Sequence, residues 1–87
     1  MKHASHADIG NRLKRSEGHL RKVINMIEQG RPCSELAQQL HAVERAIVAA
    51  KKALIQDHID HCLGQSPEDE QSHAEMIADL REITRYL

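Results

Sequence analysis

The sequence is poor in aromatic residues: its 87 residues include one Tyr and neither Trp nor Phe. That length supports one domain at most, so residues 1–87 are expected to form a single domain. With a core built only from Leu, Ile, Val and Ala, a monomer of this size would be marginally stable. We therefore expect a homo-oligomer, in which helices bury further apolar surface against other subunits.

Long apolar runs are absent as well. No stretch approaches the roughly 18–20 apolar residues of a membrane span, and the polar N-terminus lacks the apolar core of a signal peptide. We therefore expect a cytoplasmic protein with no membrane contact. A glycine-rich phosphate loop is also missing, and a small helical chain offers little concave core for a catalytic base. These absences argue against an enzyme.

Cysteine is scarce, with two residues in the chain. In a cytosolic helical protein, two thiols indicate metal or redox chemistry rather than a structural disulfide. Cys62 follows His58 by four positions, so a helix places both side chains on one face. Such a pair suits thiophilic or borderline metals, but two ligands rarely suffice. Cys33 is the only other thiol that could complete the site.

The apolar periodicity predicts an all-α fold with helices over residues 8–29, 33–63 and 67–86, after a flexible tail over residues 1–7. Gly30 is suited to a left-handed cap at the end of the first helix. Ser66 before Pro67 is typical of a helix start. Gly18 costs about 1 kcal/mol inside the first helix relative to Ala, and one interpretation is that it lets another helix approach closely.

Two apolar stripes follow the first two helices. The first comprises Ile9, Leu13, Leu20, Val23, Ile24 and Ile27, and the second comprises Leu36, Leu40, Val43, Ile47, Ala50 and Leu54. The second stripe has heptad spacing, which predicts packing against a partner helix. Cys33 and Cys62 lie roughly 43 Å apart along this helix, too far to share a metal within one chain. If the second helices of two subunits pair antiparallel, Cys33 of one subunit meets His58 and Cys62 of the other.

Charge is distributed unevenly along the chain. The net charge is +4 over residues 1–31 and −4 over residues 64–87. The candidate DNA-phosphate contacts are Arg12, Lys14, Arg15, Arg21 and Lys22, with Lys51 and Lys52 as further candidates. Cations of this kind neutralise phosphates and give salt-dependent affinity, although the alternative is an ordinary solvated helix surface. No aromatic residues are interleaved with these cations, so stacking on single-stranded nucleic acid is disfavoured.

The residues alone do not identify the metal. A trigonal set of two thiolates and one imidazole suits Cu(I). A fourth ligand from His3, His6, His61 or the amino terminus would favour Ni(II), Co(II) or Zn(II). The alternative is that His3 and His6 belong to a solvated tail and that His61 is a packing residue on the heptad stripe. A metal-free dithiol could instead act in redox or persulfide sensing.

Four segments resemble one known family: residues 12–20 (RLKRSEGHL), Cys33, residues 38–43 (QQLHAV) and residues 58–62 (HIDHC). On these motifs, and over residues 9–87, the chain resembles the CsoR/RcnR/FrmR family of small helical bacterial repressors. The resemblance implies a three-helix protomer without a helix-turn-helix, an antiparallel dimer and a dimer-of-dimers tetramer. It also implies that the metal-free protein binds operator DNA through basic residues of the first two helices and releases it with inducer.

Within that family, Cys33, His58 and Cys62 match the spacing of the copper(I) ligands of the copper sensors. Those sensors often carry Tyr before the first Cys, where this chain has Pro32. Asp79 is the nearest match to the Glu on their third helix, which supports the ligands without binding the metal. Nickel and cobalt sensors add an N-terminal His, persulfide sensors tend to lack the His, and formaldehyde sensors use the first Cys with the N-terminus.

We therefore predict a repressor of double-stranded operator DNA that senses Cu(I) through an intersubunit Cys-His-Cys site. The first alternative is a Ni(II)- or Co(II)-sensing repressor that uses an additional N-terminal His. The others are a Zn(II) site, a persulfide or formaldehyde sensor acting through Cys33, and a metal-binding module that does not bind DNA.

Overall fold

The computed structural model describes residues 5–64 and 69–87, and all secondary structure in that part of the chain is helical. The three helices are α1 (His6–Glu28), α2 (Cys33–Leu63) and the short α3 (Glu70–Thr84). The predicted all-α class and three-helix protomer are therefore confirmed, and the predicted bounds of α2 match the structure. The described helices include none that is both long enough and apolar enough to cross a membrane.

The ends of α1 and α3 differ from the prediction. His6, expected in the flexible tail, is the first residue of α1. The third helix begins at Glu70 because Asp69 caps it, accepting a hydrogen bond from the Ser72 backbone N–H at 2.6 Å. That hydrogen bond also lowers the pKa of Asp69. Ser66, the predicted cap, lies outside the described residues.

Gly30 ends α1 as predicted, with a φ of 72°. The Gly30 N–H donates to the carbonyl of Ile27 at 3.0 Å, and the Arg31 N–H donates to the carbonyl of Met26 at 3.1 Å. This pair of bonds is a Schellman motif, which satisfies carbonyls at the end of a helix. The chain then reverses, and α2 begins at Cys33 and runs antiparallel to α1.

The core of the protomer is narrow, with one row of buried side chains on each of α1 and α2. On α1 the buried residues are Ile9, Ser16, Val23 and Met26. On α2 they are Val43, Ala50, Ile55 and Cys62. Positions 9, 16 and 23 recur every seven residues, as do positions 43 and 50, which is the repeat expected for two helices packed side by side.

The predicted apolar stripes are only partly buried within one protomer. The more exposed members, together with Val48, form what we call the apolar flank: Leu13, Leu20, Ile24, Ile27, Leu40, Ile47, Val48 and Leu54. Two helices packed side by side contact each other along one line. An apolar stripe two residues wide therefore contains one row of side chains that the neighbouring helix of the protomer does not cover. Gly18 is exposed and nothing in the described protomer lies within 4 Å of the position its Cβ would take, so no described helix of the same protomer crosses closely there.

Candidate metal centre and basic surface

Three potential ligands converge where the C-terminal end of α2 meets α3. The ligand atoms of His58, Cys62 and Asp79 all lie within 4.8 Å of one another. The Cys62 Sγ is 3.5 Å from the His58 Nε2, and an Asp79 carboxylate oxygen is 2.5 Å from the same nitrogen. The i, i+4 spacing on α2 accounts for the first pair, and the packing of α3 brings Asp79 to it.

The separation of Cys62 and His58 fits a shared metal ion. A metal bonded to a thiolate at about 2.3 Å and to an imidazole at about 2.0 Å holds the two ligand atoms roughly 3.5 Å apart. The observed 3.5 Å between Sγ and Nε2 matches this separation, although the same Nε2 also contacts Asp79. The chemistry of the donors, one soft sulfur and one imidazole, suits Cu(I), Zn(II) or Ni(II).

Burial controls the protonation of Cys62, which is only 9% exposed. Burial raises the pKa of the Cys62 thiol, and the nearby Asp79 carboxylate raises it further. Both effects disfavour the thiolate. A metal ion that binds this sulfur must therefore displace a proton, so metal affinity rises with pH.

The His58 Nε2 has a hydrogen-bond partner in Asp79, and the ring is about one quarter exposed. One ring nitrogen can donate a proton or bind a metal, but it cannot do both at once. Binding of a metal through Nδ1 would leave the hydrogen bond to Asp79 intact, as is usual for metal-ligating His and carboxylate pairs. Binding through Nε2 would require Asp79 to move away.

Cys33 lies at the opposite end of α2 and is exposed. At 1.5 Å per residue, the helix separates it from Cys62 by roughly 43 Å. The protomer measures 59 Å along its longest axis, so its own fold keeps the two thiols apart.

His6 and His61 lie near this end of the molecule but outside the cluster. The His6 Nε2 is 3.8 Å from the Asp57 Oδ2, which joins the start of α1 to the end of α2. His61 is half-buried. Among the residues the structure describes, the only group of three close potential ligands is that of His58, Cys62 and Asp79. His3 lies outside the described residues.

The predicted basic residues occupy two sides of α1 rather than one. Arg12 and Arg15 line a cavity between α1 and α2, and Lys22 lines the next cavity along the same side. Because successive residues turn by about 100°, Lys14 and Arg21 point to the outer side of α1.

Lys52 borders a shallow groove on the outer face of α2, and Lys51 precedes it. All seven side chains, Arg12, Lys14, Arg15, Arg21, Lys22, Lys51 and Lys52, are exposed. None of them forms an ion pair with another residue in the ranges 5–64 and 69–87.

Two contacts between α1 and α2 were not predicted from the sequence. One is the His6 and Asp57 pair, and the other joins the His19 Nε2 to the Gln39 Oε1 at 2.7 Å. A signal for His19 was present, because positions 12, 15 and 19 have the spacing of one helix side. Its partner on α2 could not be identified without the register of the two helices.

Comparisons with known proteins agree on one family. The family model described as metal-sensitive transcriptional repressor matches residues 5–86. The copper-sensing transcriptional repressor CsoR of Bacillus subtilis (strain 168) is 35% identical over 88% of this chain and 79% of that protein. The protein of the same name from Mycobacterium ulcerans (strain Agy99) is 31% identical over 74% of this chain and 55% of that protein.

A solved structure gives the same result. The nickel-responsive transcriptional regulator InrS superposes with a TM-score of 0.81 and 32% identity, over 100% of this chain and 98% of that one. The two proteins therefore share the three-helix architecture along the whole length of this chain. The matching proteins are named as transcriptional repressors or regulators, and the family is one of repressors rather than enzymes. The chain belongs to the CsoR family of metal-sensitive transcriptional repressors.

Proposed function

We propose that this protein is a cytoplasmic repressor that binds operator DNA without metal and releases it when Cu(I) is bound. The metal site would be shared between two subunits, with Cys33 from one and His58 and Cys62 from the other. The observation that carries this proposal is the 3.5 Å separation of the Cys62 Sγ and the His58 Nε2. A trigonal set of two thiolates and an imidazole is typical of Cu(I), and several relatives are named as copper sensors.

The apolar flank supports the shared site. A protomer with this many exposed Leu, Ile and Val side chains has a surface suited to another copy of the chain. Antiparallel pairing of two α2 helices along this flank would bring the start of one helix to the end of the other. Two such dimers would form the proposed tetramer.

The exposed cations support the proposed DNA contacts. Arg12, Lys14, Arg15, Arg21, Lys22, Lys51 and Lys52 have no ion-pair partner among residues 5–64 and 69–87, so their charge is available to phosphates. The competing function is a metal-binding module that does not bind DNA. Titration of duplex DNA at several salt concentrations separates the two, since phosphate contacts make the affinity fall steeply with salt.

The shared site can be tested by mixing subunits. We expect Cys33→Ala and Cys62→Ala each to abolish tight Cu(I) binding in anaerobic competition with a chelator. After the two variants are unfolded and refolded together, a mixed dimer contains one complete site and one site that lacks both cysteines, so tight binding returns in part. A Ser34→Ala variant serves as the control for changes at the start of α2. Failure of the mixture to recover any tight site would contradict a site between subunits.

A second candidate is Ni(II), or Co(II), with His6 as an additional ligand. It is favoured by the position of His6, whose ring contacts Asp57 beside His58, and by the nickel-responsive structural neighbour. Nickel absorption bands of a four-coordinate planar site, lost in His6→Ala, combined with weak Cu(I) binding, would select this function. If neither metal released DNA but a persulfide or formaldehyde did, the exposed Cys33 thiol would be the sensor.

A further inference from the structure

A cavity opens between α1 and α2 on the side opposite the apolar flank. Its lining consists of Arg12, Arg15, Ser16, His19, Ala46 and Ala49. Because the two alanines have small side chains, they fill little of the space on the α2 side, and the charged side chains of α1 border an open volume. We call this space the Arg/His cavity.

The charge of the Arg/His cavity is not compensated. Its lining holds two guanidinium groups and no carboxylate. Neither Arg12 nor Arg15 forms an ion pair with another residue of the described ranges. Arginine presents its donors in a planar fork that matches the oxygens of a phosphate. The cavity is therefore suited to an oxyanion.

His19 is the third polar group of the cavity, and a hydrogen bond fixes its ring. Its Nε2 lies 2.7 Å from the Gln39 Oε1. An amide oxygen only accepts, so Nε2 carries the proton and Nδ1 is left for another contact. A neutral Nδ1 can only accept a hydrogen bond and would repel a phosphate oxygen. A protonated ring can donate from Nδ1 as well.

We propose that Arg12, Arg15 and His19 bind one backbone phosphate of DNA, and that His19 takes up a proton when they do. A phosphate bound between the two arginines favours a third positive charge beside it. Affinity for DNA therefore rises as the pH falls through the range in which histidine changes charge, pH 8 to 5. The inference rests on the proposed DNA binding and adds a residue and a pH response to it.

The neighbouring charges agree with this direction. From α1, Arg12 and Arg15 face His19 within the cavity. The adjoining cavity is lined by Lys22, Arg31 and Glu35 and by Gln39, the hydrogen-bond partner of His19. The Glu35 carboxylate is paired with Arg31, so it is already neutralised. The surroundings of His19 are thus cationic until an anion arrives.

The first experiment measures duplex binding by the metal-free protein between pH 6 and 8 at constant ionic strength. Fluorescence anisotropy with a mixed-sequence duplex of about 30 base pairs reports phosphate contacts without requiring the operator. We expect the affinity of the unmodified protein to gain up to about tenfold per pH unit for each linked proton as the pH falls. His19→Gln keeps a hydrogen-bonding group but cannot be charged, so this gain should be lost. His73→Gln, on the exposed surface of α3, is the control and should retain it.

An unchanged pH dependence in His19→Gln would overturn the inference. A second measurement identifies the source of the phosphate: the ring signals of His19 are followed by NMR through a pH titration in chloride, in inorganic phosphate and with the duplex. A titration midpoint raised by the duplex supports the proposal, and one raised by inorganic phosphate alone assigns the cavity to a free anion and overturns it. If no duplex binds at any salt concentration, the repressor function fails, while the inorganic phosphate titration still tests the cavity.

Discussion

The two thiols of this chain lie in opposite environments, and their reactivity should differ accordingly. Cys33 is exposed at the start of α2, whereas Cys62 is buried. Burial and the Asp79 carboxylate both raise the pKa of the Cys62 thiol. Since the thiolate is the nucleophile, we expect iodoacetamide to alkylate Cys33 before Cys62 in the metal-free protein at pH 7 to 8. Mass spectrometry of the digested protein gives both rates.

The same reasoning fixes the pH response of Cys62. Its alkylation should accelerate with increasing pH, because a raised pKa keeps the thiol protonated until higher pH. Asp79→Asn removes the carboxylate charge while preserving the size of the side chain, and it should make Cys62 react faster at a given pH. The Cys33 rate in that variant serves as the internal control. Equal rates for both cysteines in the unmodified protein would show that the buried environment of Cys62 does not persist in solution.

Asp79 should also matter for metal affinity through His58. Its carboxylate accepts a hydrogen bond from the His58 Nε2 at 2.5 Å, which orients the ring and raises the basicity of Nδ1 for a metal bound there. Loss of such a partner typically weakens metal binding by about 10- to 100-fold. We expect this weakening for Cu(I) in Asp79→Ala, measured by anaerobic chelator competition. Glu75→Ala, on the same helix and exposed, should bind like the unmodified protein. If Asp79→Ala bound Cu(I) with unchanged affinity, the hydrogen bond would have no role in the site.

At the scale of helices, two glycines on α1 and its cap should respond in opposite directions to the same substitution. Gly18 is helical and exposed, with nothing near the position of a Cβ, so Gly18→Ala should stabilise the protein by about 0.5–1 kcal/mol. Gly30 has a φ of 72°, where a Cβ is strained, so Gly30→Ala should destabilise it by about 1 kcal/mol. Urea unfolding at one protein concentration measures both. A stabilising Gly30→Ala would mean that the left-handed cap is absent in solution.

The helices themselves could be predicted because their signals are local. Heptad spacing and the Gly30 cap fix α2 at Cys33–Leu63 as expected. The start of α3 was harder, because Ser66 and Asp69 are both good capping residues and the sequence does not rank them. The extent to which the apolar stripes are buried within one protomer could not be predicted, for a different reason. Periodicity identifies which side of a helix is apolar, but not how many columns of that side one neighbour can cover.

In the candidate site, too, contacts within one helix can be predicted from the sequence, whereas contacts between helices cannot. The pairing of His58 with Cys62 follows from their spacing on one helix. The contact of Asp79 with His58 spans 21 positions, and that of His19 with Gln39 spans 20. Both depend on how one helix is placed along another. Family resemblance pointed to Asp79, whereas nothing in the periodicity alone singled out Gln39.

At the scale of the whole molecule, the α1 and α2 pair has two different sides. Leu20, Leu40 and Ile47 line a groove on the apolar flank, whereas Arg12, His19 and Ala49 line the Arg/His cavity. On α2, Ile47 and Ala49 point in nearly opposite directions because two steps turn the helix by about 200°. A second subunit can therefore cover the apolar flank and leave the cationic side open to DNA.

This separation leads to a prediction about assembly. Ile47→Glu places a charge at the centre of the apolar flank, where burial against another subunit would be costly. We expect it to convert the oligomer to monomers in sedimentation velocity experiments. Tight Cu(I) binding should disappear with it, because Cys33 of a second subunit would no longer reach His58 and Cys62.

Ala49→Glu provides the matched comparison, since it introduces the same side chain two positions away on the other side of α2. It should leave the sedimenting mass and Cu(I) affinity unchanged but weaken DNA binding, because its carboxylate would lie in the Arg/His cavity. Both variants should retain the helical circular dichroism of the unmodified protein. If Ile47→Glu became monomeric yet kept tight Cu(I) binding, the metal site would lie within one protomer and Cys33 would have no part in it.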